Sequence, residues 1–138
     1  ALMSVEYRKP EGVDMYFTSD LSDGHTVKSD GRRIQQVLIN YLTNSCKNTR
    51  QGNIHLHCSA QERPGKLVFS VTDTGCGVPE EKADVIFQRF AKLDQFVQGS
   101  GLGLNICQVI ADKLGGQVSL DREYRDGARF IFVIDDVQ

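Results

Sequence analysis

Apolar and polar residues alternate loosely from Gly12 to Thr18 and then meet the turn-rich run Ser19-Asp20-Leu21-Ser22-Asp23-Gly24, which predicts a short strand followed by a loop. A second short strand is predicted over Thr26 to Ser29. Asp30 is a suitable N-cap, and behind it Ile34, Val37, Leu38, Tyr41, Leu42 and Ser45 recur at the spacing of one helical face. That predicts a helix of four or five turns ending near Asn48. Gln51-Gly52-Asn53 breaks the pattern, after which Ile54, Leu56, Cys58 and Ala60 alternate with His55, His57 and Ser59 as along a strand. Arg63-Pro64-Gly65 turns the chain back, and Leu67, Phe69 and Val71 alternate through the returning strand. The same phase carries Asp73 onto the face those residues bury, which places a carboxylate at the rim of the core.

Gly75, Gly77 and Pro79 open an irregular loop, Glu80 to Phe90 reads as a short helix, and Ala91 to Ser100 as an uneven segment ending in glycine. From Gly101 onward, Leu102, Ile106, Val109, Ile110 and Leu114 mark a helical stripe, closed by Gly115-Gly116 as a C-cap. Val118 to Leu120 and Phe130-Phe132-Ile134 form a last hairpin around Arg125-Asp126-Gly127. The order strand, helix, paired strands, helices, paired strands implies helices layered on one face of a mixed sheet.

At 138 residues the chain has the length of one compact domain, residues 1–138, and its 40% hydrophobic content excludes disorder over most of it. Sixteen basic and eighteen acidic residues give a formal net charge of −2, which supplies no field for nucleic acid or an anionic membrane surface. The longest apolar runs, Val37-Leu38-Ile39 and Ile131-Phe132-Val133-Ile134, fall far short of the roughly 18 residues a span needs. No secretory signal is visible at the start, which reads as an excision point from something larger. Cysteines 46, 58, 76 and 107 show no Cys-x-x-Cys spacing and read as reduced thiols of a cytoplasmic domain rather than a zinc or disulfide frame.

Three segments carry candidate chemistry. Asn40, Asn44 and Lys47 recur at i, i+4 and i+7, forming a polar strip along the apolar stripe of the first long helix. By themselves these asparagines read as a solvated flank. Asparagine is a poor helix former, however, and two in mid-helix point to a hard amide ligand for magnesium with a lysine for phosphate charge. Asp73-Thr74-Gly75-Cys76-Gly77 ends a strand with an inward carboxylate able to accept from an exocyclic amine, beside two glycines that let the main chain lie close to a flat ring. Gly99-Ser100-Gly101-Leu102-Gly103-Leu104 runs into a helix start, where unpaired N–H groups favour an anion. It is neither a Walker loop nor a dinucleotide fingerprint, since no Gly-Lys-Ser/Thr follows and no strand precedes it. His55 and His57 share a strand face and, with no third ligand in view, read as an outward polar face. Cys76 reads as inert, and Arg122-Glu123-Tyr124-Arg125-Asp126 as a solvated hairpin end.

Taken in order, these segments resemble the catalytic ATP-binding domain of sensor histidine kinases, of the GHKL superfamily, over about Val27 to Val133. Asp30 to Lys47 resembles the N box, Asp73 to Pro79 the first glycine box, Ile86-Phe87-Gln88-Arg89-Phe90 the F box, and Gly99 to Leu104 the second glycine box. The resemblance implies an α+β sandwich of Bergerat type: a mixed, mainly antiparallel sheet of about five strands with about three helices on one face. It implies ATP and Mg2+ as cofactors, with Asn44 on the metal, Asp73 on the adenine amine and Lys47 on the phosphate side. Asn40, Gly75, Gly77, Ser100, Gly101, Leu102, Gly103 and Leu104 complete the implied nucleotide site, with Ala91 to Ser100 as a lid anchored by Phe87 and Phe90. Ser45 stands where alanine is usual, Asn48 where an aromatic is frequent, and Arg129 where the final strand often has threonine.

One position bears on mechanism. Hydrolytic members of the superfamily carry a water-activating glutamate one turn before the magnesium asparagine, and this chain has Asn40 there. An amide takes no proton from water at neutral pH, which favours γ-phosphoryl transfer to an external nucleophile. The implied partners are ATP, a histidine on a separate dimerising helical hairpin, and a response-regulator receiver domain. Two other readings stand beside the kinase: a regulatory nucleotide-binding module that transfers nothing, and an ATPase acting as a conformational clamp.

Overall fold

The structure, a computed structural model, describes residues 12–21, 31–79, 86–87 and 103–135. Within these, the chain runs β1 (Val13–Ser19), α1 (Gly31–Asn48), β2 (Gly52–Ser59), β3 (Lys66–Asp73), α2 (Gly103–Leu114), β4 (Gln117–Leu120) and β5 (Ala128–Asp135). The strands form one five-stranded sheet in the order β1-β2-β3-β5-β4, with β1 parallel to β2 and the remaining pairs antiparallel. This is the mixed, mainly antiparallel α+β sheet expected from the sequence. The expected strand at 26–29, the Asp30 cap, most of the helix at 80–90 and the segment 91–100 lie outside the described residues.

Helix α1 forms as its periodicity predicts, with Val37, Leu38, Tyr41, Leu42, Ser45 and Cys46 buried. This stripe packs onto the sheet face that carries Ile54, Leu56, Leu67, Val71, Phe130 and Phe132 and against α2. Burying side chains of this size contributes about 1.5–3 kcal/mol each before ordering costs. Tyr41 anchors the helix: its ring stacks on Phe130 at 5.3 Å, and its hydroxyl donates to the Ile131 carbonyl at 2.9 Å.

Of the stripe expected on α2, Ile110 is buried and Ile106 and Leu114 pack against the core, but Val109 faces outward, and Leu102 lies outside the described residues. Leu104, Cys107, Ile110 and Ala111 are buried, whereas Val109 is 47% exposed. The i, i+3, i+7 set starting at Leu104 includes Cys107 and Ala111, small residues that let α2 lie close to α1. Their side chains weigh little in an apolar count, so Val109 dominated the pattern. The helix ends as expected, with the Gly116 N–H reaching the Ala111 carbonyl at 2.8 Å. Among the described residues no helix is long and apolar enough to cross a membrane.

Candidate functional site

Strand alternation sets the phase of β3, so Leu67, Val71 and Asp73 all face the helices, and Asp73 is fully buried. Its Oδ1 accepts from the Gly75 N–H at 3.0 Å and the Ala128 N–H at 3.1 Å. Oδ2 meets no donor in hydrogen-bonding geometry among the described residues; the buried Ser45 hydroxyl of α1 stands beside it, short of that geometry but close enough to favour the ionised carboxyl. Burial raises the Asp73 pKa above the ordinary 3.8, opposed by the Gly75 N–H, the Ser45 hydroxyl and the Ala128 N–H in that order.

The raised value fixes the sign of the pH response. Between 3.8 and the folded-state value the folded carboxyl holds a proton that the unfolded one has lost, so this group's contribution to stability falls as pH rises through that window. Binding of an amine donor runs the opposite way, because it needs the ionised acceptor. Adenine-nucleotide affinity is expected to fall on acidification before the ordinary carboxylate value is reached, as measured by nucleotide titration across pH. A flat profile down to that value would refute the ionised form as the acceptor.

The loop after β3 is tied down at both sides. The Thr74 N–H donates to the Asn53 carbonyl and the Cys76 N–H to the Asn48 carbonyl, each at 3.1 Å. A Cβ on Gly75 would stand 2.2 Å from the Asn48 carbonyl oxygen, so what this glycine permits in the structure is contact with the end of α1. On the far side Tyr124 Oη donates to the Asp73 carbonyl at 3.0 Å. The sequence reading placed Tyr124 in a solvated hairpin end. The structure corrects this, since the β4–β5 turn folds back over the Asp73 end of β3.

The helix residues separate. Asn40 accepts from Gln36 Nε2 at 3.0 Å and reaches Cys107 Sγ at 3.9 Å, linking α1 to α2. Burial pushes that thiol up to about 12, with the Asn40 contact opposing the rise. Asn44 is half-buried one turn further on, and Lys47 is exposed. Lys47 and Gly75 meet at an open cleft of about 620 Å³, lined also by Asn48, Arg50, Gln51 and Thr74. Gly77 lines a smaller cavity of about 160 Å³ with Val78, Leu120, Tyr124 and Gly127. Cys76 borders both. Gly103 opens α2 and Leu104 is buried, while Ser100, Gly101 and Leu102 lie outside the described residues. Arg129 turns away from Asp73 to pair with Asp121 at 2.9 Å and Glu62 at 3.4 Å, so the neighbour on the Asp73 side is Ala128.

A buried carboxylate with one oxygen held and the other without a donor in bonding geometry among the described residues has an acceptor to spare at the end of its strand. The family model described as "Histidine kinase-, DNA gyrase B-, and HSP90-like ATPase" matches residues 29–138, and the chain belongs to that family. Within it, the chain is similar to the adaptive-response sensory kinase SasA of Thermosynechococcus vestitus, with 38% identity over 128 residues covering 90% of this chain and 33% of that protein. It is also similar to the autoinducer 2 sensor kinase/phosphatase LuxQ of Vibrio cholerae, with 36% identity over 126 residues covering 87% of this chain and 15% of that protein. Among solved structures, the nucleotide-free catalytic domain of histidine kinase ThkA superposes with a TM-score of 0.81 at 32% identity, covering 99% of this chain and 85% of that one. Full-length ShkA in complex with AMPPNP gives 0.78 at 33% identity, covering 96% and 27%. The chain thus spans a third or less of the length of these two curated relatives.

Proposed function

We propose that residues 1–138 form one catalytic domain that binds Mg-ATP and presents its γ-phosphoryl group to a histidine on a separate dimerising domain. The observation that carries this is Oδ2 of buried Asp73, which meets no donor in hydrogen-bonding geometry among the described residues, matches an exocyclic amine donor, and sits on a carboxyl already oriented by the Gly75 and Ala128 N–H groups. Such an orphaned acceptor costs about 1–3 kcal/mol unless a ligand or water satisfies it. Asn44 offers a neutral amide oxygen suited to Mg2+, which takes one or two protein ligands and leaves its other positions to phosphate and water. Bound there, the metal neutralises phosphate charge. Lys47 adds a second positive charge, and Gly103 and Leu104 supply N–H groups at the start of α2, to which the family resemblance adds Gly101 and Leu102.

This chain's own residues position and shield the nucleotide rather than react with it. With Asn40 engaged by Gln36 and Cys107, no general base stands one turn before Asn44, which favours transfer over hydrolysis. Transfer needs an acceptor from elsewhere: His55 and His57 sit on β2 rather than on a helix, and His25 lies outside the described residues. The relatives named as sensor kinases, and the AMPPNP complex of ShkA, support the reading. Placement in the cytoplasm is supported by four cysteines none of which forms a disulfide. A receiver domain is the expected later acceptor of the phosphoryl group.

Calorimetric titration with a non-cleavable ATP analogue, with and without magnesium, tests the binding half. Magnesium is expected to tighten binding, and Asn44→Ala to remove about tenfold of that gain, about 1.4 kcal/mol. An undiminished magnesium effect in the variant would take Asn44 out of the metal site. Label transfer from ATP to a fused acceptor hairpin tests the other half. The chain alone is expected to form no phosphohistidine, and a stable one on the isolated chain would overturn the need for a separate acceptor.

A further inference from the structure

On the sheet face opposite Asp73, β1 and β2 run parallel in a register that sets Tyr16 beside His55 and Thr18 beside His57. Ile54 and Leu56 point to the core, so His55 and His57 point outward, and both are half-buried. Two ring nitrogens converge on one atom: His55 Nε2 lies 2.5 Å and His57 Nδ1 2.6 Å from Thr18 Oγ1. Tyr16 stacks on the His55 ring at 4.5 Å and holds its orientation. Asp20 is fixed by the Ala60 N–H at 2.9 Å and by the Ser59 hydroxyl, and is near enough to His57 to feel its charge.

A hydroxyl has one proton, so it can donate to one of these nitrogens at most, and the other ring must turn its own N–H toward the oxygen. That point is held by Thr18 Oγ1, so a cation would take it only as the Thr18 side chain rotates about χ1 and gives way, and it would then accept a lone pair from both rings at once. Metal–imidazole bonds of about 2.0–2.1 Å are about half an ångström shorter than the distances now spanned to oxygen, so the two rings would also close slightly. We infer that His55 and His57, whose rings the Thr18 hydroxyl sets in convergent orientation before it gives way, form a surface site for an imidazole-preferring divalent transition metal, Cu2+ ahead of Ni2+ and Zn2+. The order follows the general affinity series for nitrogen ligands, and Mg2+, which prefers oxygen, is not taken. Ligands two residues apart on a strand share a face, but the third group comes from a strand 37 residues away from His55, which spacing along the chain does not reveal.

The probe is one equivalent of Cu2+ added to protein whose exposed Cys76 has been alkylated, read by electron paramagnetic resonance. Hyperfine structure from two nitrogens is expected, reduced to one in His55→Gln and in His57→Gln. Ni2+ calorimetry on the same variants should show affinity lower by at least about tenfold, the smallest loss seen when even an outer-sphere partner of a metal site is removed. Spectra and affinities unchanged in both variants would overturn the site, because the metal would then be held elsewhere. In the unsubstituted protein, side-chain NMR gives a reading that no folding defect can confuse. Zn2+ should shift the ring nitrogens of His55 and His57 together, and movement of neither, or of one alone, would also overturn it. The nucleotide site lies on the other face, so these outcomes do not depend on ATP binding.

Discussion

Asp73→Asn is expected to weaken ATP binding by about 100-fold or more, about 2.8 kcal/mol, while the domain stays folded. Asparagine keeps a carbonyl oxygen in the place of Oδ1, so the Gly75 and Ala128 N–H groups retain their acceptor. The change falls on the other side, where an NH2 donor replaces Oδ2 and faces the incoming amine donor to donor. Alanine is the poorer probe. It would orphan both N–H groups at about 1–3 kcal/mol each, so that lost binding and lost stability could not be separated. Calorimetry with ATP and GTP, alongside the thermal midpoint, gives the comparison. An Asn variant that binds ATP as the parent does, with the same preference over GTP, would remove Asp73 from the base-recognition site and with it the main support for the functional reading.

How much of this was legible in the sequence follows from how local each determinant is. The phase of β3 is carried by Leu67 and Val71, six and two residues before Asp73, so the burial of that carboxylate could be read from alternation. The inward face of α1 was equally readable from large apolar residues at helical spacing. On α2 the stripe is right at Ile106, Ile110 and Leu114 and wrong at Val109, because the close approach to α1 uses the small Cys107 and Ala111 while the larger Val109 faces outward. Tyr124 was misplaced for a different reason: its hydroxyl finds the Asp73 carbonyl 51 residues away, across a turn whose composition is that of any exposed hairpin end. The same limit hid Thr18, since the register of two parallel strands joined through a long crossover leaves no trace in either strand's own pattern.

Gly127→Ala tests whether the fold itself sets the position of Asp73. A Cβ built on Gly127 lies 2.0 Å from the Asp73 carbonyl oxygen, 2.7 Å from its carbon and 2.9 Å from Oδ1. None of these atoms sits at the end of a flexible side chain. The carbonyl is held by Tyr124 Oη, Oδ1 by the Gly75 and Ala128 N–H groups, and Asp73 pairs with Ala128 at the end of the β3–β5 ladder. The overlap is therefore relieved by parting the two strand ends, at the cost of overpacking, about 1–3 kcal/mol. The expected result is a fall in thermal midpoint on the order of 10 °C, together with loss of ATP binding that a higher nucleotide concentration restores incompletely. Gly31→Ala supplies the contrast, since a Cβ there meets nothing within 4 Å among the described residues and the residue opens α1. That variant should be neutral or gain up to about 1 kcal/mol, because alanine forms helix better than glycine. Equal midpoints for the two variants would mean that the β4–β5 turn does not clamp the carboxylate, and that Asp73 is positioned by the loop of Gly75 alone.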